Sequence, residues 1–192
     1  MLPTLAAGMM TASLVVSAPH AMTPEGVFGS FQRYCVANQA DASSAITQAD
    51  AHGWRIASDA AVAWVRVPNI ERMAVRVRSA GSVTNILAAG DRAVTTGGQT
   101  YRVSFCLTAA KAADAGAVAA AVANWVGVRP VPSDTRPGFV AYNYVEDESG
   151  RRSLTGLDNQ SARQLLSAGV VRYLFVITSG DRIAIALSVP KL

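Results

Sequence analysis

The chain contains two cysteines, Cys35 and Cys106, and they lie in segments of different periodicity. Apolar residues around Cys35 recur at helical spacing, whereas those around Cys106 alternate as in a strand. A disulfide between them would join a helix to a sheet and contribute roughly 4 kcal/mol in the chain-entropy model. Two buried free thiols are the alternative. We expect no redox catalysis, because the sequence has no Cys-x-x-Cys motif.

The N-terminal segment is uncharged apart from His20. Its apolar run, from about Leu2 to Ala18, has the length of a signal-peptide core and ends in small residues. We therefore interpret residues 1–21 as a signal peptide and residues 22–192 as a single domain, with cleavage after Ala21 or after Ala18. No Lys or Arg precedes the run, and Pro19 lies close to both cleavage points. An uncleaved membrane anchor and a plain N-terminal helix are the alternatives.

Composition agrees with one exported globular domain. Half of the 192 residues are apolar, so about 170 residues can bury a core after removal of the leader. A disulfide favours an oxidising compartment, so we expect a periplasmic or secreted protein. The formal charge of +4 is concentrated in residues 55–102, which carry seven Arg against three acids. Genome composition is one interpretation of this arginine excess, and a mildly basic face for an anionic envelope partner is the other. The charge is too small to indicate nucleic acid.

Periodicity predicts an α+β fold with a mainly antiparallel sheet and helices packed on it. Helices are predicted after the cap Thr23, after Asp41 up to Gly53, and after Asp158 or Ser161. Thr108 is predicted to cap an alanine-rich helix that Gly127 ends. The predicted strands cover residues from 73, 83–87, 100–107 (after a Gly97-Gly98 turn), 139–145, and the hairpin 170–178 and 182–189.

Three arginines form the candidate binding site of the sequence. Arg76 and Arg78 alternate along one predicted strand, and Arg102 lies on another, so all three can share one sheet face. They would form an anion-binding patch if their side chains converge on solvent. The structural alternative is that they surround the helix layer and pair with Glu25, Asp41 or Asp50.

No catalytic, metal-binding or cofactor-binding motif emerges. Apart from His20, the only histidine is His52, which precedes Gly53 and suits a helix C-terminus better than a base or ligand. Ser188 and Lys191 match a Ser-x-x-Lys spacing without the motifs that accompany it in enzymes. The acidic cluster of residues 146–148 reads as a turn, not as two carboxylates facing across a cleft. We therefore expect no cofactor and no metal.

The chain resembles small exported proteins of uncharacterised function in Gram-negative bacteria. The resemblance lies in the pattern Phe31-x-x-x-Cys35, followed by Gly53-Trp54 after a short helix. The resemblance covers about 30 residues and implies a periplasmic location and one disulfide. Together with the patterned core, it favours an exported accessory or binding protein, with an envelope protein or an anionic ligand as partner and membrane contact only if the leader stays attached. An envelope hydrolase with carboxylates gathered by the fold, and a subunit of an envelope assembly with an exposed apolar patch, are the alternatives.

Overall fold

A computed structural model describes residues 25–65, 70–80, 83–96, 99–112 and 114–191 of the chain. The predicted leader, the cap at Thr23 and the Gly97-Gly98 turn lie outside these residues. The helices are α1 (Glu25–Ser30, continued by a π-helical segment, Phe31–Val36), α2 (Ala42–Ala51), α3 (Asp59–Trp64), α4 (Ala115–Val126) and α5 (Asn159–Ser167). The strands are β1 (Arg55–Ile56), β2 (Ile70–Ala80), β3 (Val83–Thr96), β4 (Gln99–Lys111), β5 (Phe139–Asp147), β6 (Gly150–Ser153), β7 (Val171–Ser179) and β8 (Arg182–Pro190).

The eight strands form one antiparallel sheet in the order β1-β2-β3-β4-β8-β7-β5-β6. This confirms the predicted α+β class with helices on a mainly antiparallel sheet. The side chains alternate between two faces. One face, which includes Cys106 and Leu187, packs against α1, α2 and α4 and forms the main core. We call the other one the open face; α3 packs over its β2–β4 part and α5 over residues of β5 and β7.

The predicted disulfide is present and lies inside the main core. Cys35 comes from the π-helical segment and Cys106 from the centre of β4, and both side chains are fully buried. Their Cα atoms are 5.2 Å apart, well within the range that a disulfide bridges. The bond therefore fastens the first helical segment to the middle of the sheet, as the two periodicities predicted.

The helices α2 and α5 begin at the predicted cap residues, whereas α4 begins at a different residue from the one predicted. Asp41 and Asp158 cap α2 and α5 by accepting hydrogen bonds from backbone N–H groups. The prediction that Thr108 caps α4 is wrong, because Thr108 is a buried residue of β4 that donates to the carbonyl of Val27. Asp114 caps α4 instead. β4 continues through Ala109 and Ala110 because β3 and β8 pair with it on both sides, and this pairing outweighs helix propensity.

Candidate functional site

A cavity of about 400 Å³ lies on the open face. Its floor comes from the strands between β3 and β5, and Leu166 of α5 contributes to its wall. The size falls within the range of small-molecule sites. The described residues that line it are Arg92, Val94, Thr95, Tyr101, Val103, Asp134, Asn143, Leu166, Tyr173, Phe175 and Ser188.

Strand register explains why the floor is concave. Ser188 of β8 pairs with Phe105 of β4 on one side and with Tyr173 of β7 on the other. These three side chains form one transverse row on the open face, in which a small residue separates two large ones. Ser188 is only 2% exposed, so it lies at the bottom of the depression. Asn143 of β5 pairs with Tyr173 and ends the row.

Arg92 places a positive charge in this cavity. The side chain is half-buried, and its Nε is buried without a hydrogen-bond partner among the described residues. Burial lowers the pKa of Arg92 below its usual value, and no carboxylate of the described part of the chain forms an ion pair with it. The pKa of a guanidinium is so high that Arg92 remains charged at physiological pH. A buried charge without a partner is costly, and an anion in the cavity would relieve that cost.

Aromatic side chains form the apolar part of the cavity. Burial raises the pKa of Tyr173, and the nearby Tyr101 raises it further, so its phenol stays neutral at physiological pH. The Phe175 ring packs against Phe139 with ring centroids 5.6 Å apart. The Arg136 guanidinium in turn covers the Phe139 ring at 4.7 Å. This stack holds the wall in place before any ligand arrives.

Asp134 is the one carboxylate among the described residues that line the cavity, and it is exposed at its rim. The pair of facing carboxylates that a glycosidase-type hydrolase requires is therefore not among them. In the part of the chain that the structure describes, there is also no group of three or more His, Cys, Asp or Glu side chains arranged to hold a metal ion.

The structure does not assemble the predicted arginine patch into one site. Arg76, Arg78 and Arg102 do share a face, but it is the helix-covered one. Arg76 forms a bidentate pair with Asp50 of α2, with its Nε 2.6 Å from Oδ1, and the Arg76 hydrogen bond lowers the pKa of Asp50. Arg76 therefore has the role of the structural alternative, in which the arginine pairs with a carboxylate of the helix layer.

Arg102 lies at the opposite end of the same face. The register aligns Arg76 with Leu87 and Leu87 with Thr108, which is six residues along β4 from Arg102. Six residues of strand span about 20 Å, too far for the side chains to share a small anion. Arg102 also interacts electrostatically with Asp91. Arg78 is exposed, opposite the buried Asn85.

The other sequence candidates have structural partners. His52 is the C-cap residue of α2, as predicted, and its ring Nδ1 lies 3.1 Å from the hydroxyl of the buried Tyr34. Trp54 donates to the same hydroxyl. Ser188 lies on the floor of the open face, whereas the Lys191 ammonium pairs with Asp91 on the other face. The Ser-x-x-Lys spacing therefore brings no pair together.

The acidic residues 146–148 lie at a strand turn, as predicted. Glu146 pairs with Arg151 at 2.8 Å, and the Arg151 guanidinium stacks on Trp125. Hydrogen bonds from Ser149 and Arg152 lower the pKa of Asp147 to about 2. These contacts stabilise the β5–β6 hairpin and do not form a cleft.

A second cavity, of about 440 Å³, is lined by polar residues near the C-terminal end of β8. Its charged groups are already engaged: Asp41 accepts from the backbone of Ser44, and Lys191 pairs with Asp91. Of these two cavities, the one lined by Arg92 combines unpartnered buried polar atoms of the described residues with apolar walls. It is therefore the stronger candidate for a binding site.

In the part of the chain that the structure describes, the large exposed apolar side chains are isolated from one another along the strand order. The large ones among the described residues are Ile56, Leu157 and Ile177. They lie on β1, before α5 and on β7, and four strands separate β1 from β7. Single exposed apolar residues of this kind are common on monomeric proteins. The described helices include none that is long and apolar enough to cross a membrane.

Comparisons with protein-family models, with curated proteins and with solved structures found no match for this chain. The inference about what this chain binds therefore depends on the cavity itself.

Proposed function

We propose that this chain is an exported binding protein and that its cavity on the open face holds a small amphipathic molecule with an anionic group. The observation that carries this proposal is Arg92: its charged guanidinium lines a cavity that also has an apolar and aromatic wall, and no described carboxylate forms an ion pair with it. A carboxylate or phosphate group would accept charge-assisted hydrogen bonds from it. Val103, Tyr173 and Phe175 would then contact the apolar part of the ligand.

Arg92→Met should weaken binding of octanoate by about 10- to 100-fold, because it removes a charge-assisted hydrogen bond in a partly desolvated site. Isothermal titration calorimetry with octanoate, octan-1-ol and octylammonium measures this effect. The wild-type protein should prefer octanoate to both, and added NaCl should weaken octanoate binding. Octan-1-ol, which has no charge, should bind both proteins about equally.

Arg78→Met is the matched control, since Arg78 is an exposed residue on the helix-covered face, opposite to the cavity. It should leave octanoate binding unchanged. Arg92→Met should also not lower the midpoint of thermal unfolding, because none of the described carboxylates pairs with the half-buried charge that it removes. Equal loss of octanoate affinity in both variants, or a lower midpoint in Arg92→Met alone without any loss of affinity, would contradict the proposal.

Export is the second part of the proposal, and it rests on the uncharged N-terminal segment and on the buried disulfide. Mass spectrometry of the protein from the periplasmic fraction should find a mature chain that begins at Met22, after cleavage at Ala21, or at Pro19. Full-length chain recovered from the cytosol with reduced cysteines would contradict export and would leave the test of the cavity untouched.

A further inference from the structure

A smaller cavity, of about 190 Å³, lies on the open face next to the one that Arg92 lines. We call the smaller one the distal cavity. Val65, which follows α3, contributes to its wall, and Ala109, Ala184 and Ile177 contribute to its lining from β4, β8 and β7. Ile177 lies two residues along β7 from Phe175, which lines the larger cavity on the same face. The two cavities therefore adjoin along β7.

Strand register shows that the floor continues from one cavity to the other. Ala186 lies on β8 midway between Ser188 of the larger cavity and Ala184 of the distal cavity. It pairs with Leu107 of β4 on one side and with Phe175 of β7 on the other. A small side chain thus separates two larger ones here, as Ser188 does in its own row. The depression of the open face therefore extends along β8.

The distal cavity presents apolar surface to solvent. Ile177 is 41% exposed, and Ala184 is half-buried. Contact with an apolar chain would remove this surface from water, which is favourable. In the next row, Ser179 of β7 pairs with the exposed Arg182 of β8, so the apolar floor ends there. The apolar part of a ligand therefore has a limit at this end of the depression.

The length of the depression sets the length of the chain that it can hold. Arg92 pairs with Val103, and Ala109 is six residues farther along β4. Six residues of strand span about 20 Å. An extended alkyl chain with C–C bonds of about 1.5 Å advances about 1.3 Å per carbon, so about 16 carbons cover this distance. Octanoate would occupy only about half of it.

We infer that the ligand is a long-chain fatty acid, with its carboxylate at Arg92, its alkyl chain along β8 and its last carbons in the distal cavity beside Ile177. The inference rests on the proposed binding function and extends it by assigning the length and the course of the apolar part. The carboxylate is placed at Arg92 because that guanidinium is half-buried, whereas Arg182 at the distal end is exposed to water.

The test is a series of linear saturated carboxylates from octanoate to octadecanoate, each titrated calorimetrically below its micelle-forming concentration. Affinity of the wild-type protein should rise about two- to fourfold with each added carbon, since each one buries a further methylene. The rise should stop at about 16 carbons, where the chain reaches the end of the distal cavity. A chain confined to the larger cavity would instead gain nothing beyond about 8 carbons.

Ile177→Ser should weaken binding of hexadecanoate about 3- to 10-fold, because it removes apolar contact at the end of the chain. Octanoate affinity should stay within about twofold, since octanoate does not reach the distal cavity. Ile56→Ser is the matched control: Ile56 is also a large exposed apolar residue of a strand, and it is not among the residues that line either cavity. It should change neither affinity.

Ala184→Phe provides a second variant, in which a large side chain fills the distal cavity. It should move the chain length of tightest binding to shorter carboxylates. Circular dichroism of both variants checks that a change in preference is not a loss of fold.

The two proposals fail in distinguishable ways. If Arg92→Met weakens octanoate binding but hexadecanoate binds no more tightly than octanoate, or if Ile177→Ser and Ile56→Ser have equal effects on hexadecanoate, the binding function stands and the assigned course of the chain is wrong. If none of the carboxylates binds the wild-type protein, the proposed function fails and this inference fails with it.

Discussion

Replacing Cys35 or Cys106 with alanine should lower the free energy of unfolding by about 4 kcal/mol, the largest effect that we expect from any single substitution. The bond connects residues 71 positions apart, so its removal frees a long loop in the unfolded chain. Both cysteines are fully buried, and β4 is paired on both sides at Cys106. Urea denaturation followed by circular dichroism measures the loss.

The double variant is the internal control for this prediction. Each single substitution already breaks the bond, so Cys35→Ala with Cys106→Ala should be little less stable than either one alone. Wild-type protein unfolded in the presence of dithiothreitol should show nearly the same stability as the variants. A reduced protein as stable as the oxidised one would show that packing, and not the crosslink, holds the helix on the sheet.

Gly138→Ala should cost about 3 kcal/mol of stability, since two separate penalties combine at this position. Gly138 has φ of +75°, a conformation that disfavours any side chain. A Cβ atom there would lie 2.6 Å from the backbone carbonyl oxygen of Thr178, and the Thr178 N–H donates to the carbonyl of Gly138. Neither backbone can move away without breaking that hydrogen bond.

Gly127→Ala separates the two penalties. Gly127 ends α4 with φ of +68°, but a Cβ atom there would have no neighbour within 4 Å. It should cost only the conformational part, about 1–2 kcal/mol. Equal losses in the two variants would mean that the β5–β7 contact relaxes. Because Gly138 precedes Phe139, which supports Phe175, only the Gly138 variant should also weaken octanoate binding.

The sequence predicted those parts of the fold that depend on local pattern. Cys35 and Cys106 were placed on a helix and a strand by periodicity, and Asp41 and Asp158 were identified as caps because their side chains suit that position. The predicted start of α4 at Thr108 was wrong, because a threonine before an alanine-rich run has the local pattern of a helix cap. The deciding interaction, pairing with β8, comes from residues more than 70 positions later and leaves no local signal.

Arg92 was missed for a related reason. The second strand was predicted to end at Leu87, whereas β3 continues to Thr96. Extending the alternation from Ile86 would have placed Arg92 on an apolar face, which is an unusual position for a charge. The sequence correctly placed Arg76, Arg78 and Arg102 on one face of the sheet. It could not show that Arg76 pairs with Asp50, because that contact depends on how α2 packs against the sheet.

The strand order gives the cavity one further property. β1 to β4 come from the chain before residue 112, and β5 to β8 come from the chain after residue 138. These two halves of the sheet join along a single seam, β4 with β8, and the disulfide lies wholly in the first half. The cavity is lined by Arg92 and Val103 from one half and by Tyr173 and Phe175 from the other. A molecule bound there would contact both sides of the seam, and amide hydrogen exchange at β8 would slow when it binds.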